Sequence, residues 1–250
     1  MPFVGNSGGG AGASALGDLS DIGTMGEPIA QSDDLSDVVT AMGGSSPVLT
    51  ELGAYQSIPD TGWTDTGTVT HVAGVHTFSV ASAGDSAALR STIVDPFMQG
   101  VEIVGRLDFT TGVPATSTWA AFGVVNAARS YGYIVQAIED GAVQMYWANG
   151  GGWAFLTATG GGAVNLTANT AWLRLVITPS YVATYYATGS ARPARGGWTK
   201  LGSATTNADL LSNGTLDQIA IYAGRTASGS GTYTVAWSDM TYRPMVGLVA

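Results

Sequence analysis

The sequence contains no cysteine among its 250 residues. Disulfides, thiolate metal sites and a cysteine nucleophile are therefore excluded. Charge is the second scarcity: 11% of residues are Asp, Glu, Lys or Arg, against about a quarter in an ordinary soluble domain. Helical surfaces rely on Glu, Lys and Arg, so this deficit argues against an all-helical protein. No run of about 18 apolar residues occurs, so no membrane-spanning helix and no membrane insertion are expected. The opening MPFVGNSGGGAG has neither a basic region nor an apolar core, so no secretory signal is expected. Only Lys200 represents lysine, and Lys and Arg together number 9. Phosphate binding needs clustered cations, so a nucleic-acid partner is not expected.

The cations are also unevenly placed. Residues 1–89 hold ten of the 18 acids and no Lys or Arg, while residues 90–250 hold the other eight acids and all 9 bases. The net charge of −9 therefore belongs to the first third of the chain. That acidity serves solubility or docking on a basic neighbour, and the residues leave both open.

What is present divides at about residue 54. SGGGAGASALG is flexible and of low complexity. It leads into an imperfect repeat, DLSDIGTMG from Asp18 and DLSDVVTAMG from Asp34. Leu19 and Ile22 in the first copy answer Leu35 and Val38 in the second. Leu35, Val38, Val39 and Met42 fall at i, i+3, i+4 and i+7, which is one apolar stripe on two helical turns. A helix that short is unstable alone and must pack on something. These six apolar residues are the candidate anchoring set, in a short, mostly irregular segment 1–53.

From residue 54 onward the chain reads as strands and turns. In GVEIVGRLDF (100–109), Val101, Ile103, Leu107 and Phe109 point one way, and Glu102, Arg106 and Asp108 the other. That alternation predicts a strand with one buried face. Strand-like runs follow at 118–126, 131–139, 142–148, 153–158, 171–178, 181–188, 216–224 and 232–243. An earlier hairpin is expected over 68–80, turning at Ala73-Gly74. Asp140-Gly141 is a strong hairpin signal and Asn149-Gly150 a looser one. About a dozen strands without intervening helices predict an all-β antiparallel jelly-roll sandwich over 54–250.

The order of these runs resembles the concanavalin A-like lectin/glucanase jelly roll, in its laminin-G-like and phage-associated forms. Trp172, Arg174, Trp198, Leu201 and Gly202 match the pattern "W-x-R, strand, then DG-x-x-W-x-x-LG". The usual Asp-Gly turn is replaced by SARPARGG, so no ligand preference of that loop carries over. The DLSD repeat ahead of a sandwich is similar to adaptor segments of tailed-phage tail-fibre, minor-tail and head-fibre proteins. The resemblance implies a virion structural protein (fibre, spike or decoration) at the particle surface. Residues 1–53 would contact other virion proteins, the assembly would be a homo-oligomer with a trimer favoured, and the sandwich would bind host-surface glycan. A purely architectural role without ligand is the alternative. A glycan-active hydrolase is a further, less favoured one.

Catalytic groups are sparse. Retaining glycosidases need two carboxyls about 5 Å apart, and family hydrolases carry a cluster like E-x-D-x-E on one strand. Here the candidate strand offers Glu102 and Asp108, six residues apart or roughly 20 Å at strand rise. Glu139 and Asp140 read as a hairpin corner. No G-x-S-x-G elbow or phosphate loop occurs. No catalytic residue, cofactor or metal is expected. His71 and His76 can face each other across their hairpin, but two ligands are not a metal site, and they read better as surface polar residues. The aromatic rings carry the remaining chemistry: Trp numbers 7, Tyr 10 and Phe only 6. Sugars stack on partly exposed Trp or Tyr and hydrogen-bond to nearby amides. Gln136, Gln144, Tyr146, Asn149 and Trp153 cluster around one hairpin and its successor, and form the candidate carbohydrate-binding set. On strand 142–148 Gln144 and Tyr146 share a face, which leaves Trp147 to the core. Trp172, Trp198 and Trp237 are assigned to the core as well.

Overall fold

The computed structural model describes residues 55–81, 84–91 (backbone), 100–109, 118–150, 152–161, 163–164, 170–178, 181–205, 216–225 and 232–244. The anchoring set Leu19, Ile22, Leu35, Val38, Val39 and Met42 lies outside the described residues, as do both sequence repeats. Among the described residues fifteen strands are seen. They are β1 (Gln56–Ser57), β2 (Trp63–Thr66), β3 (Thr68–Val72), β4 (Val75–Val80), β5 (Gly84–Ser91), β6 (Val101–Asp108), β7 (Thr118–Val125) and β8 (Tyr131–Ile138). Then come β9 (Val143–Asn149), β10 (Trp153–Ala158), β11 (Thr170–Ile177), β12 (Tyr181–Ala187), β13 (Thr199–Thr205), β14 (Gln218–Arg225) and β15 (Tyr233–Pro244). Arg195–Gly197 form a single 3-10 turn, and no α-helix occurs among the described residues.

The strands form two sheets, and every pairing is antiparallel. The first sheet has the order β13-β12-β11-β6-β15-β4-β3, with β1 added against β15. The second has the order β10-β9-β8-β7-β14-β5-β2. Long-range pairings such as β6 with β11 and with β15, and β7 with β14, interleave the chain between layers. The result is the jelly-roll sandwich that the strand pattern predicts.

The core follows from side-chain alternation. Ile103 and Leu107 of β6, Leu173 and Leu175 of β11, and Val235 and Trp237 of β15 point inward from the first sheet. Phe122 of β7, Val135 of β8, Met145 of β9 and Ile221 of β14 meet them from the second. Phe122 and Trp237 touch edge to face, with ring centres 5.3 Å apart. Each fully buried large side chain contributes about 1.5–3 kcal/mol. Trp147 packs against this cluster as its strand parity predicts.

The turns match their residues. Ala73 and Gly74 both take positive φ, 52° and 76°, the geometry a two-residue hairpin requires. The Gly141 amide donates to Ile138 O at 2.9 Å and closes the β8–β9 hairpin, and Asp140 Oδ1 caps the Ala142 amide at 2.8 Å.

Three expectations are corrected. Strand β6 is buried on both faces rather than one, because Glu102 and Val104 are as covered as Ile103. Trp172 belongs not to the core but to a separate cluster with Val104 and Ala187, on the outer face of the first sheet. Trp198 packs, half-buried, on that same cluster. Segment 188–198 and Tyr55 bring rings and charges over that face, which strand periodicity cannot reveal.

Candidate functional site

The outer face of the second sheet is built by register. Gln136 of β8 stands opposite Gln144 of β9, Ile134 opposite Tyr146, and Tyr146 opposite Phe155 of β10. Trp153 stands opposite Ala148, and Tyr222 of β14 opposite Ala121 of β7. Ala121, Val125, Ile134, Ala220 and Tyr222 form an apolar floor, with Trp119 and Tyr146 packed against it. The Trp153 and Tyr222 rings meet at 6.3 Å, nearly perpendicular at 77°. Three strands separate β10 from β14, which is about 19 Å of backbone on a flat sheet. Contact over that span requires the face to curl toward itself, so this face is a trough. Gly123 lies on its floor, and a Cβ there would collide with the Tyr133 carbonyl oxygen. Only glycine allows β7 and β8 to approach that closely.

The trough carries a short polar ladder. Tyr146 donates its hydroxyl to Gln144 Oε1 at 2.9 Å, and Gln136 Nε2 approaches the same oxygen at 3.4 Å. That orientation leaves the Gln144 Nε2 hydrogens for a ligand. Burial pushes the Tyr146 phenol above its ordinary value, so it stays a neutral hydroxyl. Tyr146 meets Phe155 edge to face at 5.7 Å. Trp153 and Phe155 are 38% and 56% exposed, which leaves apolar ring surface open to a planar, hydroxylated ligand.

The structure thus brings Gln136, Gln144 and Tyr146 into one hydrogen-bonded group, with Trp153 along the same face. It does not bring Asn149 to them. Asn149 follows Ala148 at the end of β9 and takes the opposite strand parity, exposed beside the β9–β10 turn. Phe155, Tyr222 and Trp119 belong to the trough and were not in the sequence-derived set. The alternation of Trp153 and Phe155 could have revealed the second of these. Tyr222 required the curl of the sheet.

The first sheet presents a different outer face. Both oxygens of Glu102 accept from guanidinium: Arg174 Nε at 2.6 Å and Arg243 Nε at 2.7 Å. Tyr55 donates its hydroxyl to Glu102 Oε1 at 2.7 Å. Burial, followed by the Glu102 charge, pushes the Tyr55 phenol up to about 12. Arg174 lies 4.7 Å from the ring centre of Tyr185 and 5.8 Å from that of Trp198. Glu102 is therefore committed to buried ion pairs at both oxygens.

The two histidines depart from the expected surface placement. They are register partners, with Nδ1 atoms 2.7 Å apart, and His76 is fully buried. His71 Nε2 lies 3.0 Å from Asp65 Oδ1. Trp63 stacks on His71 at 5.0 Å and 6°. The close Nδ1 pair requires one ring to donate and the other to accept. Burial, then the His71 charge, lowers His76 to about 4. Among the described residues no group of three or more His, Cys, Asp or Glu is arranged to hold a metal ion.

With this geometry in view, the chain can be set beside known proteins. No protein-family model matches the sequence, and no curated protein matches it. Solved structures do match. The GH43 protein BlXynB of Bacillus licheniformis aligns with TM-score 0.54 at 14% identity, over 77% of this chain and 38% of that one. The carbohydrate binding module CBM66 of Bacillus subtilis aligns with TM-score 0.51 at 13% identity, over 73% and 96%. The exoplasmic/lumenal domain of VIP36, in its Ca2+/Man3GlcNAc-bound form, aligns with TM-score 0.53 at 8% identity, over 76% and 86%. This chain spans well under half of the GH43 protein but most of the other two domains. At such identities the likeness defines the fold class: a concanavalin A-like lectin/glucanase sandwich.

Proposed function

We propose that the chain is a non-catalytic glycan-binding protein whose ligand lies in the trough of the second sheet. The observation that carries this reading is the open ring pair Trp153 and Phe155 beside the Tyr146–Gln144–Gln136 ladder. Rings supply stacking surface, and the amides and phenol supply hydroxyl partners. Two structural neighbours, a carbohydrate binding module and a domain with Man3GlcNAc bound, support it. The neighbour with a hydrolase family name matches over only 38% of its own length.

The biological setting we propose is a virion surface. Residues 1–53 anchor a homo-oligomer, with a trimer favoured, to other virion proteins, and the sandwich adheres reversibly to host-surface glycan. The acidic, base-free composition of that segment and its DLSD repeat support anchoring. Several weak sites on one particle would act together through multivalency.

A glycan array with the intact chain and with Trp153→Ala tests the trough. Binding that falls at least tenfold in the variant is expected. A folded protein that binds no glycan favours the purely architectural role, and cleavage of an arrayed polysaccharide would reinstate the hydrolase. Deletion of residues 1–53 tests anchoring: incorporation of the truncated chain into particles would refute it.

A further inference from the structure

A cavity of about 400 Å3 opens on the outer side of the first sheet, on the opposite layer from the trough. Ser57, Ser190, Arg192, Ser238, Asp239 and Thr241 line its polar side. Its volume is in the range of small-molecule sites.

The cavity has an electrostatic sign. Arg192 is exposed, stacks 3.9 Å from the Tyr55 ring centre and donates from Nη1 to Thr241 Oγ1 at 3.1 Å. It is held in place, yet no carboxylate pairs with it among the described residues. Arg243 lies 4.4 Å from the same ring centre. The cluster of Arg174, Arg192 and Arg243 has one internal carboxylate, Glu102, which is bonded to Arg174 and Arg243. Two further acids lie nearby: Asp239, which stands 3.9 Å from Arg106 and keeps acceptor capacity toward the cavity, and Asp60, whose oxygens accept from the Gly74 amide. Arg192 is thus the guanidinium of this cluster that has no carboxylate partner among the described residues.

The cavity also has donors and strain. The side-chain hydroxyls of Ser57, Ser190 and Ser238 have no hydrogen-bond partner among the described residues and can meet ligand hydroxyls. Ala73, Arg129 and Asp239 are the non-glycine residues at positive φ among the described residues, and two of them, Ala73 and Asp239, border this cavity. Asp239 sits at φ 50° in the bulge where β15 slips against β6. Left-handed backbone at a non-glycine residue often marks a site the fold has shaped.

We infer that this cavity binds a sugar acid, with the ligand carboxylate on the Arg192 guanidinium and its hydroxyls on the serines and Asp239. A planar guanidinium with its second edge free suits a carboxylate bidentately. The choice of a sugar acid over another small carboxylate rests on the glycan-binding reading. The site does not, because it shares no residue with the trough.

The test uses the full chain and measures binding of methyl glucuronide, methyl glucoside and a neutral oligosaccharide by chemical-shift titration or calorimetry. Methyl glucuronide is expected to bind, methyl glucoside to bind at least tenfold more weakly, and added salt to weaken the glucuronide. Arg192→Gln should abolish the preference, Arg192→Lys should retain part of it, and Trp153→Ala should leave it intact. Arg192 is exposed, so an unchanged melting temperature in Arg192→Gln certifies the fold. No glucuronide binding at millimolar concentration, or equal binding in Arg192→Gln, overturns the sugar-acid site. Loss of neutral-oligosaccharide binding in Trp153→Ala with glucuronide binding retained supports both sites. Loss of glucuronide binding in Trp153→Ala overturns the second site and leaves the trough standing.

Discussion

The two outer faces of this sandwich solve the same problem in opposite ways. Each belongs to a sheet whose inner face is apolar and closed. On the second sheet the outer face is floored by Ala121, Val125, Ile134 and Ala220 and ringed by aromatics, with no charge in the ladder of Tyr146, Gln144 and Gln136. On the first sheet the outer face is ionic, with Glu102 clasped by Arg174 and Arg243 and roofed by Tyr55. The lesson is that scarcity of charge does not mean its absence from structure. Of 9 basic residues in the chain, Arg174 and Arg243 are buried around one carboxylate, where charge has its largest consequences.

The strongest way to break this contrast is at Glu102. Glu102→Ala strands two buried guanidinium groups, which is expected to destabilise the fold by about 3–5 kcal/mol. Denaturant unfolding checks it. Replacing Glu102, Arg174 and Arg243 together by apolar residues of similar volume should recover most of that loss, since a well-packed apolar cluster often equals a buried ion triad. If the single variant is as stable as the parent, the ionic face contributes nothing to the fold.

The next largest effect is at the seam between the sheets, where Trp63 of the second covers His71 and His76 of the first. His76 has a folded value near 4 against 6.5 for the unfolded chain. The unfolded state therefore takes up a proton that the folded state refuses. Stability is full above pH 6.5 and falls as pH drops toward 4, by about 2–3 kcal/mol. His71, Asp65 and Asp60 are the titratable groups acting on it. Thermal melts across that window should show the slope, and His76→Phe should flatten it. An unchanged slope in the variant would assign acid sensitivity elsewhere.

Smaller effects sharpen the aromatic side. Trp153→Ala removes an exposed ring, so stability should change by less than about 1 kcal/mol while glycan affinity drops by about 1.4–2 kcal/mol, tenfold or more. Tyr146→Phe keeps the ring and loses the hydrogen bond to Gln144. It should lower affinity by about 0.5–1.5 kcal/mol with little change in melting temperature. An array profile identical to the parent in both variants would remove the trough as the ligand face.

The legibility of these regions in the sequence follows their physics. The β8–β9 hairpin was readable because Asp140-Gly141 has the backbone freedom a tight turn needs, and because Tyr133, Val135 and Ala137 alternate toward the core. The pairing of Gln144 with Tyr146 was readable from strand parity, and so was the inward turn of Trp147. The burial of Glu102 was not, because its partners lie 72 and 141 residues away in the chain. Nor was the depth of His76, which depends on a ring from the other sheet. Trp172 and Trp198 look alike in sequence to Trp237, yet only the last is in the main core.

Sequence alone therefore determined the class of fold, the positions of most strands and turns, the acidic first third, and which neighbours on one strand share a side. These are local properties: periodicity, backbone freedom at glycine, and composition. Tertiary structure alone decided that the second sheet curls until Trp153 meets Tyr222, that one acid holds two arginines, and that Arg192 stands over a cavity without a carboxylate partner among the described residues. Those outcomes depend on register between distant strands and on sheet curvature, which are set by the packing of two whole layers and by no single stretch of chain.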